Sequence, residues 1–129
     1  MKLTLLFLLP IILFTAACSP SQSEMLVLTA ENAGQSVEVQ QDQIFQVSLD
    51  GNLTTGYNWV MAPQDPELIM QQGDPEYKAA SNLVGSPGTV TFTLKAVAPG
   101  QTSLHFDYKR PWEKTAKPEK TYEVTVIVK

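Results

Sequence analysis

The chain has 129 residues, nine Lys and Arg against thirteen Asp and Glu for a formal charge of −4, one Cys and one His. That length holds one domain with its own core and hardly two. The acidic balance excludes the broad basic surface that nucleic acid demands, and a single Cys excludes an intrachain disulfide framework.

The first segment, "MKLTLLFLLPIILFTAAC", reads as an export signal. Lys2 supplies the charged start, residues 3–14 an apolar centre broken by Pro10, and Ala16 and Ala17 the small residues before a cleavage point. The apolar run is too short to cross a bilayer as a helix, which takes ~20 residues. A lone Cys after Thr-Ala-Ala resembles a bacterial lipoprotein signal, in which Cys18 is acylated and becomes the mature N-terminus. Thr15 stands where that pattern prefers Leu, and an ordinary signal with an incidental Cys is the alternative. By analogy with such lipoproteins, Ser19 in place of Asp points to the outer membrane, on its periplasmic or surface face. Without the lipid, the chain is expected to be periplasmic or secreted. The expected divisions are a signal peptide at 1–17, a lipidated Cys and tether at 18–24, and one domain at 25–129. Loss of residues 1–17 leaves 112 residues and removes Lys2, taking the formal charge to −5.

Beyond the tether the apolar period is two. Weak strands are expected at 25–29, 36–39, 44–49, 57–61 and around Tyr77. Strong ones follow, with Val90, Phe92 and Leu94 on one face, then Leu104, Phe106 and Tyr108, then Tyr122, Val124, Val126 and Val128. "DGN", "APQDP", "QGDP", "GSPG" and "APG" read as the turns between them. Many short strands with frequent turns predict an all-β, antiparallel, immunoglobulin-like sandwich.

Enzymatic chemistry finds no support. His105 alternates with Leu104 and Phe106, so it lies on the solvated face, and no Ser or Cys context pairs with it. Asp65, Glu67, Asp74 and Glu76 sit in Pro-rich turns without the regular spacing of a calcium loop. One His with no free thiol makes a poor metal site, and there is no glycine-rich phosphate loop. The expectation is a chain that is not an enzyme and holds neither metal nor cofactor.

Two loops have unusual composition. In "NLTTGY", Asn52 suits an Asx turn, Gly56 suits a positive φ, and Thr54 and Thr55 stand at the tip ahead of Tyr57 and Trp59. In "KRPWEK", Pro111 fixes φ and pushes Arg110 extended, placing Trp112 on a stiffened turn. An exposed Trp is favoured at binding hot spots; folding back onto the sandwich is the alternative. Lys109, Arg110, Lys114, Lys117 and Lys120 make this end locally basic, either as a solvated loop or to steer an acidic partner.

"NLTTGYNW", "GSPG" and "RPWE", in this order and spacing, resemble the chagasin family of cysteine-peptidase inhibitors, from about Leu26 to the end of the chain. The resemblance implies three loops side by side at one end of a sandwich, wedged into the cleft of a papain-like peptidase of the papain and cathepsin L clan. Asn52, Leu53, Thr54, Thr55 and Gly56, with Tyr57 behind them, would lie over the catalytic Cys and His. Trp112 would pack on the primed side on a loop shaped by Arg110 and Pro111, and Gly85, Ser86, Pro87 and Gly88 would touch the non-primed side. Leu53 stands where the family usually has Pro. That departure predicts a looser free loop, by ~0.4–1 kcal/mol of entropy, and a Leu53 side chain free to pack on the enzyme. Pro87 replaces a more usual Gly. The expected function is reversible, tight-binding inhibition by a monomer held to the membrane through its N-terminal lipid. The alternative is a non-inhibitory envelope lipoprotein that docks a partner protein through the same loops.

Overall fold

A computed structural model describes residues 24–129, so the expected signal, Cys18 and the tether up to Ser23 lie outside the described residues. In chain order the strands are β1 Leu26–Leu28, β2 Ser36–Val39, β3 Ile44–Gly51, β4 Asn58–Met61, β5 Ile69–Gln71, β6 Glu76–Ala79, β7 Gly88–Ala96, β8 Gly100–Lys109 and β9 Lys120–Val128. Short 3-10 turns cover Ala30–Asn32 and Leu53–Thr55. The first sheet runs β1–β3–β7, with β5 and β6 both on the far edge of β7, and the second runs β2–β9–β8–β4.

The alternation expected from sequence is what closes these sheets on each other. Phe45, Val47, Val90, Phe92 and Leu94 of the first sheet and Leu104, Phe106, Tyr122, Val124 and Val126 of the second are buried. Each such side chain contributes ~1.5–3 kcal/mol when fully buried. Phe106 joins the layers, edge-on to Phe92 at 4.9 Å and to Tyr122 at 5.8 Å between ring centroids. The Tyr122 hydroxyl donates to Thr29 O at 2.9 Å, and burial pushes its phenol above the usual range. The immunoglobulin-like sandwich is therefore present.

Three details differ from the expectation. The pairing is antiparallel in the body, but β1 joins β3 and β2 joins β9 in parallel. The chain starts on one sheet, turns at Ala30–Asn32 and continues on the other, so both strands point the same way as their neighbours. "DGN" is not wholly a turn, because Asp50 and Gly51 complete β3 opposite Thr89 and Gly88. The three-residue β5 is not among the expected strands: it carries buried Ile69 and pairs with the end of β7. At Gly73 (φ 70°) and Pro75 that edge breaks before resuming as β6.

Strand direction defines two poles. β3 and β8 end, and β4, β7 and β9 begin, at one pole, where Asn52, Pro87 and Arg110 follow or precede them. β1 enters at the opposite pole, parallel to β3, so the chain outside the described residues joins the domain far from the three motif loops.

Candidate functional site

The first loop is a capped turn. Asn52 is extended (φ −129°, ψ 98°), and its side-chain oxygen accepts from the Thr54 N–H at 3.1 Å and from the Thr54 hydroxyl. The Thr55 hydroxyl donates to Asn52 O at 2.7 Å, and the Gly56 N–H to Leu53 O at 3.1 Å. Gly56 ends the turn at φ 82°, a left-handed position that a side chain resists. Both threonine hydroxyls therefore donate inward, leaving their methyl groups and lone pairs at the tip. Leu53 is half-buried and packs against the core, so it anchors the loop and is not offered outward. That corrects the expectation of a Leu53 side chain held out for the enzyme; capping and this packing are the bracing the loop has in place of a proline's fixed φ.

The strand bases fix where this turn sits. The Asn52 N–H donates to the Tyr108 hydroxyl oxygen at 2.9 Å. Tyr108 stacks on Tyr57 at 5.4 Å and leans on Trp59 at 5.1 Å, while the Trp59 indole N–H donates to Asp50 O at 2.9 Å. Lys120 lies over the Tyr108 ring, 4.6 Å from its centroid, so this lysine of the basic cluster serves the aromatic platform. Lys109 approaches Asp107 at 4.0 Å.

The other two loops are fastened to the first. The Asn52 side-chain amide donates to Gly85 O at 3.0 Å, which ties the first loop to the second. The Arg110 Nε donates to Thr55 O at 3.3 Å, and its guanidinium lies 4.6 Å from the Tyr57 centroid, which ties the first to the third. Glu113 holds the same guanidinium at 3.4 Å, and the Glu113 N–H closes the turn onto Arg110 O at 3.0 Å. Pro111 is exposed, and Trp112 is 67 % exposed, so Trp112 is not folded into the core. Its indole covers the bare face of Gly56, where a Cβ would come within 2.5 Å of the ring. The three motifs meet as one surface.

Residues 38–126 match the family described as chagasin family peptidase inhibitor I42. The chain belongs to this family. It is similar to Amoebiasin-2 of Entamoeba histolytica, 25 % identical over 119 residues that cover 92 % of this chain and 97 % of that one. Among solved structures it resembles the cysteine protease inhibitor EhICP2 from Entamoeba histolytica. The TM-score is 0.71 at 25 % identity, over 81 % of this chain and 96 % of that one. Amebosin follows, at TM-score 0.67 and 25 % identity over 82 % and 99 % of the two chains. PbICP-C, solved in complex with falcipain-2, shares the fold at TM-score 0.56 and 22 % identity over 81 % and 99 %.

In this chagasin-family domain the middle loop departs most from the residue-by-residue expectation. Ser86 is buried: its hydroxyl donates to Pro87 O at 3.1 Å and accepts from the Ser81 N–H at 3.1 Å. Gly88 is buried inside β7, where a Cβ would sit 2.4 Å from Lys78 O. Neither can offer a side chain to a partner; they hold the loop. What that loop displays, besides exposed Gly85 and Pro87, is Leu83 and Val84, at 78 % and 105 % exposure. Sequence reading missed both. The available signal was two adjacent apolar residues stranded between Asn82 and Gly85, outside any alternating run.

Proposed function

We propose that the chain is a reversible inhibitor of papain-like cysteine peptidases, and that it blocks the cleft with its three fastened loops. Membership of a peptidase-inhibitor family supports the class. The cysteine protease inhibitor EhICP2 and the falcipain-2 complex of PbICP-C support the target type. The observation that carries the wedge reading is the single polar and aromatic network joining Asn52, Gly85, Thr55, Arg110 and Trp112 at one pole.

A papain-like cleft holds a thiolate beside an imidazolium. In this reading Thr54 and Thr55 enter above that pair, Trp112 packs on one side, and Leu83 and Val84 on the other. The tip is a tight turn whose Asn52, Leu53 and Thr55 carbonyls are already hydrogen-bonded within the domain. Such a backbone cannot lie extended through the cleft, so the thiolate meets no carbonyl aligned for attack. Inhibition is then occupancy, with no chemistry asked of the inhibitor. Three loops on a sandwich suit an interface of about 800 Å² per partner, and the fastening keeps the ordering cost low.

The test is titration of the domain into papain and a cathepsin L-type enzyme, following residual activity and the integrity of the inhibitor. Stoichiometric, reversible loss of activity with an uncut chain is expected. No inhibition of either at high micromolar concentration would sink this reading in favour of a docking module. We further infer, from the signal-like segment alone, that Cys18 is acylated and the chain is held on the bacterial envelope. Mass spectrometry of the membrane fraction checks that: an unmodified Cys18 removes it.

A further inference from the structure

Among the described residues the large exposed apolar side chains fall into two groups. Leu83, Val84 and Trp112 belong to the loops. Met25, Val27, Ile44 and Met70, each 42–49 % exposed, lie at the opposite pole. The strand register brings these four together. Ile44 is opposite Lys95, and Lys95 is opposite Met70 on its other side. Leu26 pairs with Phe45, so the preceding residue, Met25, continues the same row beside Ile44. Leu26 packs on the core and Leu28 is buried, hence Met25 and Val27 face outward by alternation. The result is a transverse row, Met25–Ile44–Lys95–Met70, with Val27 one step behind it, on the outer face of the first sheet.

This row sits where the chain enters the domain. From Cys18 to Met25 are seven residue steps, a reach of at most ~25 Å when fully extended. We propose that this row is a membrane contact: the tether pole rests Met25, Val27, Ile44 and Met70 on the headgroup region, and Lys95 extends past them to lipid phosphate. The proposal rests on Cys18 being acylated. A formal charge of −5 without residues 1–17 disfavours strongly anionic lipid, so the surface is zwitterionic. The loops then stand a domain's length away: β3, eight residues long, alone separates the poles by ~27 Å. A peptidase approaching from solution finds them unobstructed.

The experiment uses the full chain, expressed in a host that acylates lipoproteins and reconstituted into phosphatidylcholine vesicles. With Cys18 consumed by lipid, single cysteines at Val27→Cys, Met70→Cys and Thr54→Cys accept a spin label cleanly. Labels at 27 and 70 are expected to collide more with oxygen, which concentrates in lipid, than with a water-soluble nickel chelate; the label at 54 should do the reverse. Adding Ile44→Glu to the 27-labelled protein should return that label to water while leaving it anchored and papain inhibition unchanged. Labels at 27 and 70 as aqueous as that at 54 overturn the proposal. So do labels immobilised but dry of lipid, which would mean a second copy covers the row. A chain that leaves the membrane with Cys18 unmodified overturns it too, by removing the anchor. Papain titration of the unlabelled protein reports on the loops alone, so failed inhibition with lipid-exposed labels would sink the inhibitor reading and leave the membrane face standing.

Discussion

Both poles of this sandwich expose apolar side chains, but they hold them differently. At the tether pole Met25, Val27, Ile44 and Met70 stand on or beside plain strand positions; the turn before Ile44 is shaped too, with Asp42 at φ 67° and the Gln40 N–H donating to the Gln43 side chain, but none of the four sits within a turn. At the loop pole Trp112, Leu83 and Val84 stand on irregular backbone, and every loop is braced. Gly56 and Gly85 take φ of 82° and 81°, Asn52 caps its turn and reaches the second loop, and Arg110 clamps the third to the first. A bilayer surface is fluid and asks only for apolar area. A peptidase cleft is a fixed shape, and fitting it asks for atoms that do not wander. Apolar groups on braced loops at one pole and on plain strands at the other are what the two proposed roles would each require.

The sharpest way to break this contrast is Trp112→Ala. As an exposed aromatic anchor it is expected to cost at least ~2 kcal/mol of binding, roughly 30-fold in Kd for papain. The melting temperature should stay within a degree or two, because the core loses nothing. A large drop in Tm with unchanged Kd would reverse the roles assigned to this residue. Gly56→Ala comes next. The new Cβ would meet both an unfavourable φ and the Trp112 ring, for roughly 1–2 kcal/mol of strain. If the braced pole acts as a unit, affinity should fall further than stability, since Trp112 is what gets displaced.

Asn52→Ala should cost about 1 kcal/mol of stability through the lost cap, and more in affinity, because the second loop is released as well. Calorimetric melting beside a papain titration separates the two. Equal losses would mean that the Gly85 link is passive.

How legible this was depends on the range of the interaction. Val90, Phe92 and Leu94 alternate within one run, so their shared face is written locally, and the sandwich follows from adding such runs. "IMQ" is too short to show a period, and Ile69 is placed by its pairing with Ala96, 27 positions on. The motif loops could be named from their residues. The bond from Asn52 to Gly85 spans 33 positions, and no local pattern announces it. The resemblance placed Ser86 on the contact surface, and its burial shows only once Ser81 and Tyr77 are seen to close over it. Leu53 looked free because its inward packing is set by the core beneath.

The smallest predicted effect belongs to neither pole. On the outer face of the second sheet, Ser103 donates to Glu123 at 2.9 Å, and His105 bridges Glu123 at 3.3 Å and Asp107 at 2.9 Å. The Ser103 hydrogen bond first, and the His105 one second, hold the Glu123 carboxyl below the usual carboxylate range. A lowered folded pKa means the unfolded chain binds the proton more readily, so this stabilisation is present above the unfolded value near 4.5 and lost as pH falls through the lower folded one. Glu123 is fully exposed, so the change should be slight. Urea melts between pH 6 and 3 should show a shallower acid decline for Glu123→Gln than for the parent chain. Because the Glu123 side chain meets only Ser103 and His105, away from the loops, the same substitution should leave the papain Kd at pH 6 unmoved. A shift in that Kd would mean the loop surface is coupled to the sheet behind it, and the bracing at the loop pole would no longer account for its rigidity.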